Sequence, residues 1–136
     1  MIFVDTSAWI TVMDRRENNH ARANAYYHEL VATRARMFTS NYVLAETFTR
    51  IRYDRGLREM LFFRATIERA EKFGQLEILW INRAHETAAW HILEKYDDQN
   101  FSFVDATSFA LMREQTIARA FAFDDNFRIM GFDVNP

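Results

Sequence analysis

Cysteine is absent from the chain. That excludes disulfides, thiolate catalysis and zinc sites built on Cys, and leaves the cytosol as the default compartment. The only proline is Pro136, at the last position, and there are three glycines. No Pro-rich linker or low-complexity tail is therefore expected, and neither a Gly-rich phosphate loop nor a Gly-x-Ser-x-Gly elbow is present. No apolar run approaches the ~20 residues of a membrane span, and no basic region precedes an apolar core at the N-terminus, so neither a membrane segment nor a signal peptide is expected. Lysine is confined to Lys72 and Lys95, both in predicted helices. A phosphorelay receiver would need a Lys after its last strand. The four histidines (His20, His28, His85, His91) show no i, i+4 pair, which argues against a zinc helix.

What is present is a packed, aromatic chain. Apolar residues make up 49% of 136, with 13 Phe and 3 Trp, enough for one domain over residues 1–136 that buries roughly two-thirds of its unfolded surface. The formal charge of -2 conceals an asymmetry. Residues 1–75 carry 12 Lys+Arg against 9 Asp+Glu, whereas residues 76–136 carry 5 against 10. Seven arginines fall between Arg34 and Arg64. Guanidinium groups suit bidentate phosphate contact, although a salt-bridged solvated face is the plain alternative.

The hydrophobic pattern alternates strands with helices. Ile2–Val4 reads as a strand ending on Asp5, followed by a short helix Ala8–Met13 capped by Thr6 and Ser7. A helix over 20–35 leads to a strand at 37–39. Ser40 or Asn41 caps a helix from Tyr42 to Tyr53, and Gly56 separates it from another over 57–73. A third strand at 76–80 precedes a helix capped by Asn82 and running to about Tyr96. Ser102 opens a helix to about Glu114, a fourth strand covers 118–123, and a short fifth strand lies near Phe132–Val134. The expected class is α/β, a three-layer α/β/α fold with a short, mainly parallel sheet of four to five strands.

In such a sheet the carboxyl ends of the strands and the amino ends of the following helices share one edge, where ligands bind. Four acids fall there: Asp5, Glu46, Asp105 and Asp124. Each has a local explanation. Asp5 and Asp124 could be cap or turn residues, Glu46 precedes Arg50 by four on a helix, and Ser102-x-x-Asp105 is a capping box. Their coincidence at one edge is harder to explain locally. Two like charges ~4 Å apart at an effective dielectric of 20 cost about 4 kcal/mol. Either protonation or a hard cation must relieve that. An all-oxygen ligand set favours Mg²⁺ or Mn²⁺.

Four short motifs then give a resemblance: Val4-Asp5-Thr6-Ser7, Asn41-x-x-x-x-Glu46, Ser102 to Ser108 (Ser-Phe-Val-Asp-Ala-Thr-Ser), and Phe123-Asp124-Asp125-Asn126-Phe127. In order and spacing they resemble the PIN-domain nucleases, in particular the compact VapC-type toxins of toxin–antitoxin pairs, nearly end to end. The resemblance implies Asp5, Glu46, Asp105 and Asp124 as catalytic acids, with Asp5, Asp105 and Asp124 holding Mg²⁺ or Mn²⁺. It implies RNA hydrolysis to a 3′-hydroxyl and a 5′-phosphate, a homodimer, and a cognate antitoxin. Asp125 could replace Asp124, Thr6 and Ser7 take supporting roles, and Arg50 and Asn41 are the expected nucleic-acid contacts. One departure is Ala122, where many members carry Thr or Ser. A degenerate module that binds RNA or a protein without cutting is the rival reading, and the presence of all four acids argues against it.

Overall fold

The computed structural model describes residues 1–136. Its elements follow the order β1 (Ile2–Val4), α1 (Thr6–Met13), α2 (His20–Ala32), β2 (Met37–Ser40), α3 (Asn41–Arg55), α4 (Leu57–Lys72), β3 (Leu76–Leu79), α5 (Arg83–Lys95), α6 (Phe103–Glu114), β4 (Arg119–Phe121), α7 (Asn126–Ile129) and β5 (Asp133–Asn135). All four strand pairings are parallel and the sheet order is β3-β2-β1-β4-β5. This is the three-layer α/β/α arrangement expected from the alternation, with the sheet parallel throughout.

β1 holds the centre because it is apolar on both faces. Ile2, Phe3 and Val4 are essentially inaccessible, as a strand covered on both sides requires. Successive side chains point to opposite faces. Phe3 meets Phe127, which packs edge-on against Phe109. A second aromatic group forms from Trp9, Phe63 and Phe48, with ring centroids 5.6 and 5.3 Å apart. Phe63 is the buried member of the Met60–Phe63 run, while Leu61 and Phe62 stay half or more exposed. That run therefore serves the core with Phe63 and, partly buried, Met60, and leaves two residues on the surface, as the helical period dictates.

Helix boundaries follow local chemistry. Asp5, rather than Thr6 or Ser7, caps α1: its carboxylate accepts from the Ser7 backbone N–H. Ser40 caps α3 through the Val43 N–H. Gly56 then breaks the chain between α3 and α4 at φ +94°, ψ 178°, a conformation open essentially to glycine alone. β4 is shorter than the apolar run suggests and ends at Phe121. Asp124 consequently sits three residues beyond the strand, in the turn leading to α7. That four-residue helix is absent from the hydrophobic pattern, since one turn cannot show a period.

No helix is long and apolar enough to cross a membrane. From β1 the chain steps to β2 and β3 on one side, then returns to β4 and β5 on the other. The order reverses between β1 and β4, and there the strand ends open a crevice.

Candidate active site

Asp5 stands at that reversal. Its backbone N–H donates to the Phe121 carbonyl, which ties the end of β1 to the end of β4. Its side chain is 3% exposed. One carboxylate oxygen, Oδ2, accepts from the Ser7 N–H at 3.1 Å and the Ser7 hydroxyl at 2.8 Å. Ser7 Oγ in turn accepts from the Phe123 N–H at 3.0 Å. A single serine thus fixes Asp5 and positions the segment that carries Asp124. This connection spans the whole chain and has no local sequence signal.

Asp105 is held with equal care. The Ser102–Asp105 capping box forms in both directions, at 2.9 and 3.0 Å. Asp105 Oδ2 also accepts from the side-chain amide of Asn126 at 3.1 Å. Asn126 donates its backbone N–H to Asp124 Oδ1 at 3.0 Å. Asn126 therefore links two of the acids, a role the sequence reading did not assign. The signal was present as Asp124-x-Asn126, the two-residue spacing of an Asx turn.

These contacts share a pattern. Asp5, Asp105 and Asp124 each have one oxygen engaged by protein donors, while the other accepts no hydrogen bond from the protein. No cation lies within ion-pair distance of any of the three. The electrostatic cost is visible. Burial, followed by the charge of Asp124, pushes the Asp5 carboxyl up to about 7. Burial also raises Glu46, reinforced by Asp105 and partly offset by Arg50. Asp124 is raised first by burial, with the Asn126 N–H opposing and Asp105 adding to the rise. The four acids therefore sense one another across three helices and two strand ends.

The remaining expected residues are placed as follows. Glu46 is half-buried rather than solvated, because the amino end of α6 lies against its helix and brings Asp105 near. Asp125 points outward and pairs with Arg128 at 2.9 Å, its side chain 82% exposed. Thr6 is buried and its hydroxyl has no hydrogen-bond partner. Asn41 Oδ1 accepts from the Ile81 N–H at 2.8 Å, bridging the ends of β2 and β3. Arg50 is exposed, forms no ion pair, and lines an open groove of about 410 Å³ together with Glu46. Of its arginine-rich neighbours, Arg36, Arg55 and Arg64 are each paired with a carboxylate. A tighter hollow against Asp14 and Arg55 measures about 20 Å³, room for a single water.

The donor set suits a hard divalent ion: oxygen ligands only, several formal negative charges and free lone pairs at a strand-order reversal. As the side chains stand, no three converge closely enough to form a finished cage.

Comparison with known proteins agrees with this architecture. The family model described as PIN domain matches residues 2–133. A 23S rRNA-specific endonuclease, VapC20, from two strains of Mycobacterium tuberculosis is 36% identical over 141 aligned positions, covering 100% of this chain and 99% of the relative. The crystal structure of M. tuberculosis VapC20, described as a sarcin-ricin loop cleaving toxin, superimposes with a TM-score of 0.83 at 34% identity. That match covers 97% of this chain and 96% of the other.

Proposed function

The chain belongs to the PIN-domain family, and from that premise we propose that it is a divalent-metal-dependent endoribonuclease, the toxin of a toxin–antitoxin pair. The observation that carries the metal-dependent reading is Asp5: a nearly inaccessible carboxylate at the strand-order reversal, beside Asp124 and Asp105, with no cation provided by the protein.

In this reading Asp5, Asp105 and Asp124 hold Mg²⁺ or Mn²⁺. Such an ion, when bound, lowers the pKa of an associated water and offsets charge developing on the phosphodiester. The protein's own contribution is positional. Ser7 keeps Asp5 facing the crevice, and Asn126 keeps Asp105 and Asp124 together. Glu46, whose burial raises its proton affinity, accepts a proton from the attacking water. Arg50 receives a phosphate of the substrate backbone. Water adds to phosphorus, the bond from phosphorus to the 3′ oxygen breaks, the departing oxygen takes a proton from solvent, and the products carry a 3′-hydroxyl and a 5′-phosphate.

The substrate to test first is 23S rRNA, on the strength of the VapC20 relatives. A homodimer, a cognate antitoxin and a cytoplasmic location complete the proposal. Purified protein incubated with ribosomes or total RNA and Mn²⁺ is expected to yield a discrete fragment. Asp5→Asn is expected to yield none. Equal cleavage by the two proteins, or cleavage that persists in chelator, would sink the metal-dependent mechanism.

A further inference from the structure

Beside the acids lies a row of aromatic rings with no role in the mechanism above. Trp90 of α5 stacks on Phe103 of α6 with centroids 4.7 Å apart and an interplanar angle of 26°. Tyr42 of α3 is tilted against Phe103 at 6.3 Å. The Tyr42 hydroxyl donates to Glu86 Oε1 at 2.6 Å, which fixes the ring. Trp90 remains 54% exposed despite this stacking.

The row is continuous with the catalytic edge. Phe103 and Val104 immediately precede Asp105. Tyr42 lies four residues before Glu46 on the same helix, hence on the same face. Tyr42 and Val104 also line the open groove that contains Glu46 and Arg50. Phe103 is thus two residues from Asp105, and both Tyr42 and Trp90 pack against its ring.

We propose that Trp90, Phe103 and Tyr42 form a stacking subsite for one unpaired nucleobase flanking the scissile phosphate. The inference rests on the ribonuclease reading and adds to it a preference for unstacked RNA at one position. Flat aromatic faces beside a cation are the combination that binds single-stranded nucleic acid without reading its sequence. A second copy of the chain is a poorer occupant. Dimer cores are depleted in charge, whereas this groove carries Glu46 and Arg50. The larger apolar surface is on α4, where Leu57, Leu61 and Phe62 are 52%, 49% and 64% exposed.

The test is steady-state cleavage of a short single-stranded oligoribonucleotide by wild type, Trp90→Ala and Trp90→Phe, with sedimentation of each. Trp90→Ala is expected to raise KM roughly 5- to 150-fold, the range of one base–aromatic stack, with kcat within about twofold. Trp90→Phe is expected to restore most of the loss. One abasic position near the cut should raise the wild-type KM by a similar factor and add nothing in Trp90→Ala. An unchanged KM overturns the subsite, as does full additivity with every abasic position. A smaller sedimenting species for Trp90→Ala also overturns it, because the rings would then be a protein interface. If the wild type cleaves no RNA, the ribonuclease reading fails separately. Anisotropy of labelled oligonucleotide bound to Asp5→Asn, with and without Trp90→Ala, still decides the stacking: weakened binding supports it and equal binding ends it.

Discussion

Helix α1 is bounded by two buried carboxylates, Asp5 before its first turn and Asp14 after its last. They are 3% and 8% exposed. Asp14 accepts from the Arg16 guanidinium at 2.9 and 3.0 Å and from the Arg16 N–H at 2.9 Å, and it pairs with Arg55 at 2.6 Å. Those bonds, the Arg16 side chain first and Arg55 after, hold it down to about 2. Asp5 has only the neutral donors of Ser7 and faces further acids, and it rises to about 7. Little surface of either is exposed, but Asp5 lies deeper and burial is the first cause of its rise, whereas at Asp14 the guanidinium bonds outweigh burial. The protein places two guanidinium groups on Asp14 and none on Asp5. A buried charge without a partner is costly, and at Asp5 that cost appears as a carboxyl that holds its proton up to about pH 7.

The largest expected contrast is in activity. Asp5→Asn should lower RNA cleavage about 1,000-fold or more, the several kcal/mol that a charge-organising group supplies to a transition state. Asp14→Asn should leave kcat/KM within about threefold, because Arg55 and Arg16 do not reach the crevice. A large loss in both variants would end the distinction between the two carboxylates.

Stability in the absence of metal should invert the ranking. Asp5 binds its proton more tightly in the folded chain than in the unfolded one. Stability therefore declines as pH rises from about 4 through about 7. In chelator at pH 8, Asp5→Asn is expected to be more stable than wild type by roughly 2–4 kcal/mol, and equal to it near pH 4. Thermal melts across that range check the sign. A wild type that gains stability over the window, relative to Asp5→Asn, refutes it.

Adding Mn²⁺ at 100 times its dissociation constant should stabilise wild type by about 2.7 kcal/mol, a shift of several degrees. Asp14→Asn should show the same shift and Asp5→Asn little of it. Calorimetry of the three proteins gives this directly. The smallest effect belongs to Asp14 itself. Its substitution by Asn should cost about 1–2 kcal/mol at neutral pH, since Arg16 is largely exposed. Its lowered pKa gives stability that is present above about pH 4 and lost as pH falls through about 2. Denaturant melts at pH 7 and pH 2 should differ for wild type by more than they do for Asp14→Asn.

Much of this molecule could be read from local pattern. Ile2-Phe3-Val4 announces a strand buried on both faces, and the Ser102-x-x-Asp105 box forms as its spacing requires. Gly56 separates two helices at the expected position. The misses share one cause. Glu46 is among the expected acids, but its half-burial comes from α6 and is not legible in its own helix. Asn126 lies in a one-turn helix with no periodicity, and its two acceptors, Asp105 and Asp124, sit on different elements. Trp90 and Tyr42 are 48 residues apart in number and adjacent to the same ring.

The sequence by itself determined which groups could meet: four carboxylates, each at a strand or helix end on one edge of a parallel sheet. It also determined the chemistry they could offer a ligand, which is oxygen alone and suits a hard cation. It placed Asp5 among those acids and gave Asp14 no role, but it did not show how differently the two, flanking one short helix, would be charged. That distinction was made by the tertiary structure, which carries Arg55 from the far end of α3 onto Asp14 and brings Asp124 and Asp105 to Asp5. The physical reason is that a carboxylate's charge state depends on what lies within a few ångströms in space, and those neighbours come from distant parts of the chain.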